Sequence, residues 1–158
     1  MYHVRRRERE IRNEAELHRI VNHSRFVTVA LCRDGEPYAV TLSHGYDEEH
    51  GCLYFHAAPE GQKLDFIRSN PLTCATVVED HGYVTGDCSH KYRSVVLRGT
   101  MAMVDDEQEK LHAMEVLVRH HEGQPEQVRR RFLSDPAWTA GVVMLRLDVQ
   151  EMTGKGNC

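Results

Sequence analysis

Apolar and polar positions alternate with a period of two along much of this chain, a pattern typical of β-strands with one buried face. We predict six strands, at residues 26–32, 38–46, 53–56, 72–79, 92–104 and 141–149. Asp34-Gly35 after the first strand tolerates the positive φ of a tight turn, which favours a hairpin into the second. Gly99 lies inside the fifth strand, where a glycine indicates a bulge or a bend.

Helical spacing of apolar residues marks four further segments. We predict helices at about 13–23, 62–69, 105–121 and 126–133, the third opened by the acidic run at 105–108. Residues 80–91 carry no periodic apolar face and predict a loop, and 151–158 predict a polar tail. The charged run at 1–12 is expected to be a solvated arm or a first helical turn, with an arm over a partner subunit as the alternative.

The short connections predict mostly antiparallel strands, and closure of the sheet would protect their edges. The fold prediction is therefore mainly β (α+β), a small barrel with flanking helices. With 158 residues the chain is expected to form one domain, spanning 1–158. Hydrophobic residues make up 41% and charged residues 28%, as in a soluble globular protein.

The net charge of −4 argues against a nucleic-acid partner. No apolar run approaches the roughly 20 residues that would span a bilayer, so no membrane partner is expected either. The N-terminal residues lack the apolar core of a secretory signal. Five cysteines without a C-x-x-C pair favour reduced thiols over a disulfide framework, so we expect a cytoplasmic protein.

Several chemistries lack their signatures. There is no G-x-S-x-G elbow, no phosphate-binding P-loop and no G-x-G-x-x-G after a strand. Eleven histidines are present, but none falls in an H-E-x-x-H or paired Cys/His spacing, and the patterns predict no dedicated metal site. Adjacent His120 and His121 would point about 100° apart on a helix, which disfavours a shared ion.

Residues 37–63 carry the strongest candidate for a binding site. A hairpin there leads into a helix opened by Gly61-Gln62-Lys63, where backbone N–H groups and the helix dipole could hold a phosphate. His56 ends the strand before this loop. Tyr92, Arg93 and Ser94 begin another strand that could converge on the same end of the barrel.

The order of motifs resembles the pyridoxamine-phosphate-oxidase-like FMN-binding split barrels, in particular their flavin-binding and nitroimidazole-resistance branch. The segments that carry the resemblance are R-R-x-R-E-I (6–11), P-Y-A-V-T-L-S-H-G-Y-D (37–47), L-Y-F-H-A-A-P-E-G-Q-K (53–63), N-P-L-T-C (70–74), Y-R-S-V-V-L-R-G (92–99) and T-G-K (153–155). The resemblance implies a six-stranded antiparallel split β-barrel of Greek-key type. It also implies a homodimer with two FMN sites at the interface.

The resemblance further implies which residues contact the cofactor. The strand that would run along the isoalloxazine and ribityl groups, largely through its backbone, contributes Ala39, Val40, Thr41, Leu42 and His44. Phe55 and His56 would flank the flavin, and Gly61, Gln62 and Lys63 would contact its phosphate. The segment approaching from near the interface, on the same or the other subunit, contributes Tyr92, Arg93, Ser94 and Val95. Trp138 is a further aromatic candidate, although a packing role is favoured.

Two departures from the family pattern reduce the positive charge of the site. The family's adjacent Arg-Lys on the phosphate is Gln62-Lys63 here, and its strand-two lysine is His44. These changes imply weaker FMN binding or another ligand, and true pyridoxamine phosphate oxidase activity is not expected.

The function predicted from the resemblance is that of a flavin oxidoreductase. It would pass electrons from NAD(P)H through FMN to a small acceptor such as a nitroaromatic, a quinone or oxygen, with His56 as the candidate catalytic residue. The alternatives are a non-catalytic flavin-binding module and a haem-binding or haem-degrading protein on the same barrel.

Overall fold

The computed structural model describes residues 4–130 and 141–157. These contain a short 3-10 helix, Arg7–Arg9, and four α-helices: α1 (Glu14–His23), α2 (Gln62–Ser69), α3 (Glu107–His121) and α4 (Pro125–Val128). The described strands are β1 (Glu10–Ile11), β2 (Phe26–Arg33), β3 (Glu36–Ser43), β4 (Gly45–Asp47), β5 (Cys52–Ala57), β6 (Leu72–Val84), β7 (Ser89–Met103) and β8 (Val143–Asn157). Among the described residues, no helix combines the length and the apolar character that crossing a bilayer requires.

The strands form one antiparallel sheet in the order β3-β2-β6-β7-β8-β5-β4, with β1 paired to β8 outside this path. The two end strands, β3 and β4, follow each other in the chain and are separated only by His44, yet they are not hydrogen-bonded to each other. The sheet is therefore a split barrel. The mainly β, antiparallel architecture with flanking helices is confirmed, although the described strands number eight and not six.

Two apolar clusters hold the sheet and helices together. Alternate residues of β2, β6, β7 and β8 face inward with the apolar sides of α1 and α2, and form the main cluster. The second cluster lies on the other face of β5, where Cys52 and Tyr54 pack against Met114 and Leu117 of α3. Successive residues of β5 therefore pack into the two clusters in turn, which explains why nearly all residues of this strand are apolar.

Three boundaries predicted from the sequence are wrong. The predicted loop at 80–91 is mostly strand, because β6 extends to Val84 and β7 begins at Ser89, with an irregular register between Asp80 and Tyr83. The predicted polar tail belongs to β8, which pairs with β1 and β7 as far as Asn157. In all these stretches backbone pairing sustains the strand without an alternating apolar face. The predicted strand 38–46 is interrupted at His44, where the chain passes from β3 to β4.

The bulge expected at Gly99 is confirmed. The pairing of β7 with β8 changes register between Arg98 and Gly99. A Cβ atom at Gly99 would lie 1.8 Å from the carbonyl oxygen of Asp148. Only glycine therefore fits at this position of β7, because the backbone of β8 passes too close to leave room for a Cβ atom.

The remaining expectations concern helices and thiols. α2 matches its predicted bounds, whereas α1 begins one residue and α3 two residues later than predicted. Asp106 caps α3 by accepting a hydrogen bond from the Glu109 N–H at 2.8 Å. The last part of the helix predicted at 126–133, together with Trp138, lies outside the described residues. The described cysteines Cys32, Cys52, Cys74 and Cys88 are free thiols.

Candidate cofactor-binding face

The outer face of the sheet carries a row of four threonines and one valine, called here the threonine row. Pairing registers align Thr41, Thr28, Thr76, Val96 and Thr153 across β3, β2, β6, β7 and β8. Their chain neighbours point into the core, so this row faces outward. Thr28 and Thr41 share a hydrogen bond of 3.1 Å between their hydroxyl oxygens. A flat surface of this kind can receive a planar ligand or another sheet.

A basic cleft of about 510 Å³ opens beside this row. It is lined by cationic, polar and apolar residues from the N-terminal segment, β7 and β8: Val4, Arg5, Arg6, Arg9, Ser94, Val96, Thr153 and Lys155. Pairing of β1 with β8, Glu10 opposite Lys155, brings the N-terminal arginines here. Four cationic side chains around Ser94 make this cleft suited to an anion such as a phosphate.

A charged run such as 1–12 by itself predicts a solvated arm or a first helical turn, so it does not point to these arginines as ligand contacts. The available signal was the motif at 6–11, which the fold brings together with the motifs at 92–99 and 153–155. The Lys155 ammonium also lies 5.8 Å from the centre of the Tyr92 ring.

The predicted contacts on β3 divide between two faces. Ala39 and Thr41 are exposed, whereas Val40 and Leu42 are half-buried and pack against the main core. β3 ends the sheet and pairs only with β2 among the described strands. Its outer edge therefore offers unpaired backbone N–H and C=O groups to a ligand or a second chain.

His44 is fully buried and does not face the outer surface of this chain. Its Nε2 donates to the Val21 carbonyl at 3.2 Å, whereas its Nδ1 has no partner among the described residues. The ring of His120 lies 4.7 Å away. Burial, and secondarily the neighbouring His120, lower the pKa of His44 to about 4. The imidazole is thus neutral at pH 7 and does not supply the positive charge of a lysine.

Phe55 and His56 also point in opposite directions. Phe55 is fully buried in the main core. His56 is exposed and borders a small apolar pocket of about 230 Å³. Ser43, Met114 and His121 line the same pocket, so the structure joins the end of β3 to His56 and α3.

The phosphate loop predicted at Gly61-Gln62-Lys63 precedes and opens α2. Gly61 has a φ of 143°, a conformation that favours glycine. Gln62 is exposed and Lys63 half-buried. Lys63 forms no hydrogen bond or ion pair with any residue that the structure describes, so its ammonium remains available to a ligand.

The four residues predicted on β7 have different surroundings. Val95 is buried in the core, and Arg93 Nη1 donates to Glu16 Oε1 at 2.8 Å. Ser94 Oγ donates to the Lys155 carbonyl at 3.4 Å, within the basic cleft. Within one chain Ser94 therefore meets Lys155 and the N-terminal arginines, and the residues lining that cleft do not include Lys63.

Together the fold and its outer face define a split-barrel protein with a cofactor-sized basic cleft. The family model described as pyridoxamine 5'-phosphate oxidase matches residues 13–156. The chain belongs to this family.

Three solved structures illustrate the likeness. A protein of Bacteroides thetaiotaomicron described as a 5-nitroimidazole antibiotic resistance protein is 27% identical, with a TM-score of 0.80 over 93% of this chain and 86% of that one. A protein of Mesorhizobium loti described as FAD-binding is 25% identical, with a TM-score of 0.67 over 94% and 95%. An FAD- and haem-binding protein of Mycobacterium smegmatis shares the fold at 20% identity, with a TM-score of 0.77 over 94% and 73%.

Proposed function

We propose that this protein is a homodimeric flavoprotein that binds FMN on the outer face of its sheet and passes electrons from NAD(P)H to a small acceptor, such as a nitroaromatic, a quinone or oxygen. The observation that carries the proposal is the basic cleft around Ser94. It joins three separate motifs that carry the family resemblance into one basic surface, which supports an anion-binding role. The likeness to a protein described as FAD-binding supports the same ligand class.

The residues present fit a flavin mononucleotide. Arg9 and Lys155 offer charge-assisted hydrogen bonds to a phosphate, and Ser94 offers a hydroxyl. The threonine row and the open edge of β3 offer a flat surface and backbone partners for a ring system. Lys63 is a further cation, which lies outside this cleft within one chain and which the family resemblance assigns to the phosphate.

The bound flavin would supply the redox chemistry, and the chain would supply position and charge. The cationic side chains hold the ligand by its phosphate. His56, exposed beside an apolar pocket, is the candidate proton donor to a small substrate.

Flavin titration of the purified full-length chain tests the proposal. We expect FMN to bind at micromolar concentration or tighter, followed by absorbance and fluorescence, and NAD(P)H oxidation to follow on addition of an acceptor. FAD is titrated in parallel, because tighter binding of FAD would replace FMN as the cofactor. A Soret band on haem addition without flavin uptake would contradict the proposal in favour of the haem alternative. Flavin uptake without turnover would leave a non-catalytic flavin module.

Charge substitutions locate the phosphate. Removing a charge-assisted hydrogen bond costs about 1.5–3 kcal/mol, so Arg9→Gln or Lys155→Gln should weaken FMN binding about tenfold or more. Lys63→Gln tests the loop before α2 in the same way. Arg12→Gln is the matched control, because this substitution removes the same charge from the same segment. Arg12 does not line the cleft and pairs with Glu10 at 2.8 Å. Equal losses for Arg9→Gln and Arg12→Gln would show only a general effect of charge.

A further inference from the structure

A compact cluster of two imidazoles and a carboxylate lies where β4 turns into β5. Asp47 ends β4, His50 lies in the turn, and His112 reaches them from α3. The Asp47 side chain is only 7% exposed. Its Oδ2 lies 2.9 Å from His50 Nδ1 and 2.6 Å from His112 Nε2. All three side chains thus converge on one point.

This combination of ligands is common in metal sites. Two histidine nitrogens and one carboxylate oxygen form the protein ligands of zinc sites that keep an open position, and of other first-row transition-metal centres. The candidate ligand atoms here all lie within 4.8 Å of one another. Bonds of about 2.0–2.1 Å in a tetrahedron separate neighbouring ligand atoms by about 3.3 Å. Both histidine nitrogens, at 2.9 and 2.6 Å, would therefore move several tenths of an ångström away from Oδ2. The two nitrogens, which lie within 4.8 Å of each other, would also adjust to the tetrahedral spacing.

The surroundings orient the three ligands. Asp47 Oδ1 accepts the backbone N–H of His50 at 3.2 Å, which fixes the carboxylate. The His112 ring meets the rings of Tyr54 and His50 edge-on, at 5.8 and 5.6 Å between centres. Supporting contacts of this kind fix ligand geometry before the ion arrives.

The cluster also borders a cavity of about 570 Å³. His50 and His112 line it together with Cys52, Tyr54, Glu109 and Arg146. A fourth ligand, water or a small molecule, could therefore reach an ion held by the three side chains.

We propose that Asp47, His50 and His112 bind a divalent first-row transition metal, with one coordination position open toward this cavity. Asp47 and His112 are 65 residues apart in the chain, so the three ligands do not form a short metal-binding sequence motif. None of the three residues lines the basic cleft, and the proposal does not depend on flavin binding.

Zinc binding by the metal-stripped, full-length protein tests the proposal by calorimetry. We expect one Zn²⁺ per chain, and a loss of affinity of tenfold or more in His50→Gln, His112→Gln and Asp47→Asn. His50 is exposed, so its variant should keep the fold even if Asp47→Asn does not. The matched control is His90→Gln, because His90 also pairs with a carboxylate, Asp80 at 2.7 Å, but belongs to no such cluster of three among the residues that the structure describes.

X-ray absorption at the zinc edge adds a readout that affinity alone cannot give. The expected first shell contains only nitrogen and oxygen at about 2.0–2.1 Å. A sulfur ligand would identify Cys52 or another thiol and overturn the proposal. Unchanged zinc affinity in the His50→Gln/His112→Gln double variant would also overturn it. So would the absence of zinc binding at concentrations on the order of 100 micromolar, and the cluster would then be two histidines hydrogen-bonded to an aspartate.

Discussion

The imidazole of His44 is fully buried at the junction of β3 and β4, between α1 and α3. Its titratable neighbours are His120, whose ring is 4.7 Å away, and His121, which donates to the His44 carbonyl at 2.7 Å. Protonation of His44 would place a positive charge in an apolar interior next to two imidazoles. The fold therefore holds this residue neutral, and acid conditions should act against the fold.

The stability of the protein should fall on acidification because of His44. Its pKa is about 4 in the folded chain, against 6.5 for an ordinary histidine, so below pH 6.5 the unfolded chain binds a proton that the folded chain does not. The free energy of unfolding should decrease by up to about 1.4 kcal/mol per pH unit between pH 6.5 and 4. His44→Asn removes this proton, and urea unfolding at several pH values should give a shallower decrease. Parallel curves for the two proteins would assign the acid sensitivity to other groups.

Gly99 lies where the backbone of β8 passes against β7. Gly99→Ala would place a methyl group 1.8 Å from the Asp148 carbonyl oxygen, so the bulge must shift. We expect a loss of about 1–3 kcal/mol in the free energy of unfolding, measured with urea. Gly123→Ala is the control, since nothing lies within 4 Å of a Cβ there. A cost no greater than that of the control would mean that the two strands separate readily at this point.

Helix α1 is fastened to the sheet by a chain of ion pairs. Arg19 forms two hydrogen bonds of 3.0 Å to Glu79 on β6, and also binds Glu16. Glu16 in turn accepts from Arg93 on β7 at 2.8 Å. The network holds Arg93 against α1, which leaves Ser94 as the residue of the 92–95 segment that lines the cleft.

Breaking the Arg19–Glu79 pair should loosen α1. The side chains are partly exposed, which limits the interaction, but the bidentate geometry places it near the upper end of surface ion pairs. A double-mutant cycle with Arg19→Met and Glu79→Gln should give a coupling of about 1 kcal/mol that declines at high salt. A coupling near zero would show that this pair adds nothing measurable, and that the remaining contacts of α1, the Glu16–Arg93 pair and the packing of Leu17, Ile20 and Val21, hold the helix.

Sequence signals within a few residues correctly predicted the elements that are stabilised by contacts between residues near in sequence. The hairpin of β2 and β3, the helices α1 and α3 and the bulge at Gly99 all follow from periodicity, turn residues or capping groups near in sequence. The polar ends of β6, β7 and β8, at 80–84, 89–91 and 151–157, were not predicted in this way. Backbone pairing with other strands stabilises them without an alternating apolar face.

The candidate site was predictable only in part for the same reason. Family motifs predicted contacts on β3, at His56 and in the Ser94 segment, and of these only Ser94 lines the basic cleft. The arginines of that cleft reach Ser94 only through the pairing of β1 with β8. Nothing in the sequence near His44 indicates that two helices cover it. Contacts between residues far apart in the chain require the fold.

The whole molecule exposes large apolar side chains on one face of its sheet. Phe26, Leu72 and Val78 are 61%, 64% and 59% exposed, and they alternate with core residues of β2 and β6. They flank the threonine row and extend toward Ser94, which pairs with Val78. A second copy of the chain would bury this face and complete the proposed flavin cleft, in accordance with the proposed homodimer.

A charge at Val78 should therefore weaken the dimer. In a twofold-symmetric dimer the substitution Val78→Glu occurs on both subunits. Each subunit then loses apolar burial and gains an unpaired carboxylate, so the dimer dissociation constant should rise at least tenfold. Sedimentation velocity over a range of concentrations measures this, with Leu111→Glu as the control, since Leu111 is a 45% exposed apolar residue of α3 on another surface. If the cleft is shared between subunits, Val78→Glu should also lose flavin as it dissociates. A wild-type monomer at micromolar concentration, or equal effects of the two variants, would contradict an interface on this face.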